Sequence, residues 1–302
     1  MEKRSFGNTG IEVSVIGFGA APIGFLATER EKVARVLNTL LDGGMNLIDT
    51  AAAYPGSEEA IGDTVGHRRD EFILVSKCGQ AFEDLPGEAW SAEVVSATVD
   101  RALRRLKTDY LDVMLLHTCG KDVLQKGDAL GALVKAKEAG KIRFAGYAGD
   151  NEAAGYASGL PDISVLMASF NLVDQANIDR VLPIASGRRL GVIAKRPIAN
   201  SAWKAPEEQP GMYRDYAQPY HERLTAMALM PDAFEVADWM ELAIRFTLTI
   251  PGVHCGVIGT TNPDNARKNL AAAAKGPLSK NAFERIRSAF LGASDANWPG
   301  LQ

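Results

Sequence analysis

Asp49, Tyr54, Lys77 and His117 are the residues of this chain whose types and spacing best suit chemistry. Three of them end short apolar runs: Met45–Ile48 leads to Asp49, Phe72–Ser76 to Lys77, and Leu111–Leu116 to His117. Tyr54 follows Asp49 by five residues on the same loop. A lysine at an apolar strand end needs a carboxylate partner, which Asp49 can supply. A tyrosine beside that ammonium should have its phenol pulled below the usual pKa of about 10, making a proton donor usable near neutral pH. Taken singly, each has an ordinary structural role: a turn cap, a loop aromatic, a rim cation, a packed imidazole. Their joint placement on successive strand ends is what points to acid–base catalysis.

The elements that must position them repeat along the chain. Strands are predicted at Val13–Phe18, Met45–Asp49, Phe72–Lys77, Leu111–His117, Ile142–Tyr147, Ile163–Phe170, Gly191–Lys195 and His254–Gly259. Their near-continuous apolar character is that of parallel strands covered on both faces. Amphipathic helices lie between them. Val33, Val36, Leu37, Leu40 and Leu41 make one stripe, and Val94, Val95, Thr98, Val99, Ala102, Leu103 and Leu106 another. Gly43 and Gly140 are expected to end helices in left-handed positions, and Asn262-Pro263 reads as an N-cap followed by a first-turn proline. Eight strand–helix units in 302 residues predict an α/β fold, a (β/α)8 TIM barrel forming one domain over 1–302. Gly17-Phe18-Gly19-Ala20-Ala21-Pro22 lacks the Gly-x-Gly-x-x-Gly turn of a doubly wound sheet. The Arg4–Val13 piece reads as a β-hairpin that could plug the barrel bottom. Ser201–Asp232, with Pro206, Pro210, Pro219 and Pro231, is expected to be a long irregular loop after strand seven. The tail Ser288–Gln302 is expected to fold over the same face.

Composition narrows the classes further. A net charge of −4 gives no basic field for nucleic acid or an anionic membrane. The longest uncharged stretch, Val13–Thr28, is broken by Gly17, Gly19, Pro22 and Gly24, which argues against a membrane span. The N-terminus has no secretory h-region, and three cysteines suit a reducing cytoplasmic setting. Only four histidines occur, without His-x-His or Cys-x-x-Cys spacing, so no metal is expected.

Gly43-Gly44-Met45-Asn46-Leu47-Ile48-Asp49-Thr50-Ala51-Ala52-Ala53-Tyr54, then Ser57-Glu58 and Gly62, resembles the signature of the aldo-keto reductases. Ser76-Lys77, Leu115-Leu116-His117, Gly140-Lys141-Ile142-Arg143, Gly7-Asn8-Thr9-Gly10 and Ile258-Gly259-Thr260-Thr261…Asn269-Leu270 are similar too, so the resemblance spans nearly the whole chain. It implies a catalytic tetrad of Asp49, Tyr54, Lys77 and His117 acting with NADP, or NAD as the alternative. Tyr54 would be the general acid in carbonyl reduction, Lys77 paired with Asp49 would tune it, and His117 would orient the carbonyl. Hydride would come from the nicotinamide, because no side chain can supply one.

The resemblance also implies a cofactor site. Its phosphate end falls at Ile258, Gly259, Thr260, Thr261, Asn265, Lys268 and Asn269, at a helix N-terminus after strand eight. Gly19, Ala20 and Asp49, with Lys195, Arg196, Pro197, Ile198 and Asn200 after strand seven, complete it. Several positions depart from the family pattern. Asn265 stands where many members carry an arginine for the 2′-phosphate, with Arg267 and Lys268 close by. Lys195 stands near the usual aromatic, cannot stack on a nicotinamide, and would instead pair with the pyrophosphate or an anionic substrate group. Ala148, Gly149 and Met167 occupy the positions of the carboxamide-binding Ser-Asn and Gln, and only Asp150, Asn151, Ser169 and Asn171 are near to compensate. Weak or altered nicotinamide binding is the expectation.

Phe25, Phe82, Trp90, Trp203 and Tyr213 are candidate walls of a pocket for a small carbonyl or alcohol substrate, with Tyr54 and His117 at its base. A sugar-derived carbonyl is the narrower reading. Two other classes stay open: a non-catalytic nicotinamide-binding redox-sensing subunit, and a Schiff-base aldolase using Lys77. The oligomeric state is left open by the sequence.

Overall fold

In a computed structural model of the chain, residues 1–209, 213–294 and 298–301 are described. Pro210 and Gln302 therefore lie outside the described residues, as do 211–212 and 295–297. The first two strands, β1 (Lys3–Ser5) and β2 (Glu12–Ser14), pair antiparallel as the expected hairpin. Eight parallel strands follow: β3 (Ile16–Gly19), β4 (Leu47–Asp49), β5 (Ile73–Cys78), β6 (Leu111–His117), β7 (Ile142–Ala148), β8 (Val165–Ser169), β9 (Gly191–Lys195) and β10 (Cys255–Ile258). They close in chain order, with β10 pairing β3 to seal the (β/α)8 barrel. The predicted first strand begins too early. Val13 belongs to the hairpin, and the barrel strand starts at Ile16.

Alternation along each strand divides two cores. Val113 and Leu115 point into the barrel with Leu47, Val75, Val165, Met167 and Ile193, whereas Met114 and Leu116 face the helices. The hairpin closes the bottom of the interior core. Phe6 is fully buried among these inward residues with Ile11 and Val13, and burial of such a ring contributes about 1.5–3 kcal/mol. Arg4 ties the hairpin down through Nη1 and Nη2, which donate to the carbonyls of Val253 and Leu248.

The helices form for the reasons their sequences suggest. Ser91 caps Ala92–Leu106 by accepting from the Val94 N–H, and Val94, Val95, Thr98, Val99, Ala102 and Leu106 are buried against the sheet. Asn262 caps Pro263–Ala274, accepting from the Asp264 N–H. Gly140 takes the left-handed conformation, but Gly43 does not: its φ is −77°, and Gly44 at +83° makes the turn. Gly43 packs against Leu270, whose side chain would have to shift for a Cβ there.

The stretch after β9 is not irregular. It carries short 3-10 turns at Ala199–Ser201 and Pro206–Glu208, a helix at Tyr213–Met227, and a further turn at Pro231–Phe234. Ala217, Tyr220, Leu224 and Met227 give that helix its buried face despite Pro219 within it. The tail begins as the helix Lys280–Ala293, and residues 299–301 lie against residues that follow β7, β8 and β9 at the C-terminal face of the barrel. There the Arg223 guanidinium donates to the Pro299 carbonyl, and the Leu301 N–H donates to Asp174 Oδ2.

Candidate active site

Three successive strands bring three ionisable residues to one arc of the C-terminal rim. Asp49 ends β4, Lys77 is the penultimate residue of β5, and His117 ends β6. Tyr54 comes from the loop between β4 and the helix Ser57–Val65. That loop is pinned at several points. The Thr50 N–H donates to the Val75 carbonyl (2.8 Å), the Ala52 N–H to the Lys77 carbonyl (3.1 Å), and the Thr50 and Ser57 hydroxyls share a hydrogen bond of 2.9 Å. Arg101, almost wholly buried, donates to the Ala52 carbonyl at 3.3 Å from behind. Gly24 lets the preceding rim loop touch Tyr54, since a Cβ there would lie 2.8 Å from the Pro55 backbone.

Lys77 Nζ donates to Asp49 Oδ1 at 2.6 Å and to the Thr50 carbonyl at 2.8 Å. It lies 5.1 Å from the centre of the Tyr54 ring. The Tyr54 ring meets the His117 imidazole edge-on with centroids 6.1 Å apart, and Phe25 packs on its other side at 5.4 Å. Asp49 and Lys77 are buried, while Tyr54 and His117 are half-buried and open to the rim.

Burial sets the charges here as much as the neighbours do. It works against the Lys77 ammonium, but the Asp49 carboxylate and the Tyr54 oxygen together outweigh it and hold the amine above the ordinary lysine range. Burial pushes the Asp49 carboxyl up, with Lys77 pulling the other way. The expected fall in the Tyr54 pKa is corrected by the same physics. Desolvation of the phenolate raises it, and the Lys77 charge only partly offsets that rise. Tyr54 is therefore a phenol, carrying its proton, across the neutral range. Burial, followed by the charges of Lys77 and Lys195, takes His117 down to about 3, so its imidazole is neutral.

The phosphate end of the expected cofactor site gathers at β10 and its helix. Gly259 packs so closely against Pro22 and the Gly19 carbonyl that a Cβ would lie 2.7 Å from Pro22 Cγ. Ala20 is buried beside them, and Ile258 ends β10. Thr260 and Thr261 are half-exposed, and Asn265 and Lys268 are exposed. Arg267 is committed to Asp264 at 2.6 Å. Among the described residues, buried Asn269 has no partner for its Oδ1, and Asn200 after β9 has a buried Nδ2 in the same condition. Such orphaned polar atoms fit a ligand that offers hydrogen bonds, so the residues here suit a nucleotide. Pro197 packs over Gly256 of β10, and Ile198 packs against the outer core.

At the other end the departures are built into the packing. Ala148 and Met167 are buried in the inner core, and the Tyr147 hydroxyl occupies the space a Gly149 side chain would need. Asp150 is fully buried, with Oδ1 accepting from the Ser169 N–H and Asn177 Nδ2, both at 2.8 Å. Its Oδ2 lies 2.7 Å from Lys195 Nζ, so Lys195 has an internal partner. Asn151 clasps Gly300 of the tail. Ser169 Oγ and Asn171 Nδ2 are buried without partners among the described residues.

The aromatic walls separate into two groups. Phe25 and Tyr213 stand near Tyr54; burial raises the Tyr213 phenol to about 12, with Tyr54 the next cause. Phe82 instead lies under the Arg101 guanidinium at 5.2 Å, Trp90 folds back on Gly79, and Trp203 stacks on Trp239 at 6.2 Å. Two surface clefts of about 470 and 490 Å³ lie elsewhere and contain none of the four polar groups. The sequence reading missed Tyr216, whose ring lies 4.7 Å beneath the Arg196 guanidinium, and Arg101. The regular spacing of Tyr213, Tyr216 and Tyr220 was the available signal for the helix above the rim.

Comparison with known proteins gives a consistent set of matches. The model of the Aldo/keto reductase family matches residues 15–290. The chain is 27% identical over 304 aligned positions to the uncharacterized oxidoreductase YqkF of Bacillus subtilis (strain 168), covering 95% of this chain and 96% of that one. It is 28% identical to L-galactose dehydrogenase of Arabidopsis thaliana, covering 90% and 88% of the two chains. Among solved structures, the holo form of aldo-keto reductase AKR11C1 from Bacillus halodurans superposes with a TM-score of 0.81 at 25% identity, covering 96% of both chains.

Proposed function

The chain belongs to the aldo-keto reductase family and is an NAD(P)-dependent oxidoreductase, and from that premise we propose that it reduces an aldehyde or ketone to an alcohol with Tyr54 as the proton donor. The observation that carries the reading is the buried Lys77–Asp49 ion pair set against the Tyr54 ring. The Tyr54 phenol, protonated at neutral pH, hydrogen-bonds the carbonyl oxygen and gives up its proton as negative charge builds there. Lys77 stabilises the phenolate left behind, and Asp49 keeps Lys77 charged and aimed. His117, neutral, offers a second hydrogen bond that orients the carbonyl. When bound, the nicotinamide nucleotide supplies the hydride.

Gly259, Thr260, Thr261, Asn265, Lys268 and Asn269 would hold the phosphate and adenosine end of that nucleotide. Lys268 and Arg267 are both exposed at this end, Arg267 in a solvent-open pair with Asp264, so NADP is favoured through these two cations. The name of the Arabidopsis relative supports a sugar-derived carbonyl as the narrower substrate reading. The absent carboxamide-binding side chains favour a second reading, a nicotinamide-binding subunit without turnover. A Schiff-base aldolase is opposed by the charge on Lys77, since an ammonium is not a nucleophile.

The test is NADPH and NADH consumption across a panel of aldehydes and ketones, with nucleotide binding followed by fluorescence quenching. Tyr54→Phe is expected to bind nucleotide as the wild type does and to lose about 10²- to 10⁴-fold in turnover. Binding without turnover of any carbonyl by the wild type would favour the non-catalytic subunit. Unchanged turnover in Tyr54→Phe would remove Tyr54 from the mechanism.

A further inference from the structure

Arg196, which the sequence resemblance groups with the cofactor-binding residues after β9, is a cation of the rim that the proposed mechanism does not use. It follows β9, which lies four strands from β5 around the closed barrel, so it stands across the mouth from Lys77. Its Nη1 donates to the Tyr220 hydroxyl (2.6 Å) and to the Leu301 carbonyl (2.7 Å), and its plane lies over the Tyr216 ring. Among the described residues, no carboxylate lies within 4.0 Å of it. The two acids in electrostatic range are occupied: Asp150 with Lys195, and Asp174 with the Leu301 N–H. Lys77 and Lys195 each have a carboxylate in contact, whereas among the described residues Arg196 has none.

Its hydrogen-bond partners are neutral and sit on one nitrogen, and the Tyr220 and Tyr216 oxygens with the more distant Asp150 outweigh the cost of burial, so the guanidinium stays charged. The backbone holding it is strained. Arg196, Ala199, Asn200 and Ser201 all have positive φ, between 47° and 57°, and none is glycine. Such clusters persist where the surrounding structure enforces a side-chain position, and they concentrate at ligand clamps. The Arg196 charge reaches the reacting group, because it is among the charges that act on the Tyr54 phenol.

We propose that Arg196 anchors an anionic group of the substrate, so that the preferred substrates are aldehydes or ketones carrying a carboxylate or a phosphate. This rests on the reading of Tyr54 as the proton donor, since it places the carbonyl at Tyr54 and the anion across the mouth. The guanidinium fork, planar by its own conjugation, matches either oxyanion, and packing on the Tyr216 ring orients it.

The experiment compares kcat/KM for paired substrates of similar size: succinic semialdehyde against butanal, and glyceraldehyde 3-phosphate against glyceraldehyde. The wild type should favour the anionic member of at least one pair by about 10- to 100-fold, mostly through KM. The pair showing the preference tells carboxylate from phosphate. Arg196→Met should abolish the preference, and Arg196→Lys should restore part of it. Tyr220→Phe removes a packing bond but not the charge, and should keep it. A second measurement needs no turnover: calorimetric titration of succinate into Tyr54→Phe protein saturated with oxidised nucleotide, with and without Arg196→Met. If no carbonyl is reduced but succinate binding depends on Arg196, the anchor stands and the reductase reading falls. If carbonyls are reduced with no anionic preference, or if Arg196→Met weakens nucleotide binding and leaves the preference intact, the anchor is overturned.

Discussion

Removing the Lys77 charge tests stability and catalysis separately. Lys77→Met leaves the Asp49 carboxylate buried with no counter-charge. At 2.6 Å the two charges attract by about 6 kcal/mol at an effective dielectric of about 20. Much of that is offset by the desolvation both groups already bear, and breaking such a pair costs about 3–5 kcal/mol. The double variant Asp49→Leu/Lys77→Met replaces both charges by apolar groups and should recover to within about 2 kcal/mol of the wild type. The Thr50 carbonyl, which loses its Lys77 donor, accounts for part of the remaining deficit. Turnover should not recover, because no cation is left to stabilise the Tyr54 phenolate; both variants should be slower by about 10²- to 10³-fold. Urea unfolding followed by tryptophan fluorescence reads stability, and nucleotide absorbance with a saturating aldehyde reads turnover. A double variant as active as the wild type would refute the electrostatic role of Lys77. A single variant as stable as the wild type would refute the claim that the pair is desolvated.

Two further outcomes follow from the charge states. Carbonyl reduction should be independent of pH from about 5 to 9 and fall only as Tyr54 ionises above 10, because the phenol is held protonated and His117 titrates near 3; a step near pH 6.5 in a pH–rate profile would show His117 to be solvated. Burial, reinforced by Asp150, lifts the Asp174 pKa from 3.8 to about 7, so the folded state binds an extra proton in that window and loses stability as pH rises through it. Relative to the wild type, Asp174→Asn should gain about 1.4 kcal/mol per pH unit between those two values and then level off. Urea midpoints at pH 5, 6, 7 and 8 check this, and a constant offset between the two proteins would exclude a buried proton on Asp174.

Strand ends were legible because buried parallel strands are apolar runs, and the polar residue that ends a run stands out; Asp49, Lys77 and His117 were found in that way. Tyr54 was legible only by its distance from Asp49. Its pKa was not, since the sequence names the neighbouring cation but not how far the rim closes over the phenol. The helix Tyr213–Met227 was hidden by Pro219 and by the polar run Tyr213-Arg214-Asp215-Tyr216, which together read as loop. Arg101 falls beside the apolar stripe of its helix, and nothing local marks it as the support of the Tyr54 loop. Lys195 was recognised as unusual, but its partner Asp150 lies two strands away and becomes its neighbour only when the barrel closes.

The proposed proton handling is concentrated on the β4–β6 arc, while Lys195 ends β9 and Arg196 follows it on the far arc. Side chains on these two arcs share no hydrogen bond or ion pair among the described residues, so changes of packing on one should add to those on the other, and the arcs couple through charge alone, Lys195 acting on His117 and Arg196 on Tyr54. An engineer could then retune what enters the mouth by redesigning the β9 side while leaving the reaction itself in place. Natural divergence could have taken the same route, with new specificities arising on one half of a ring whose other half stays constant.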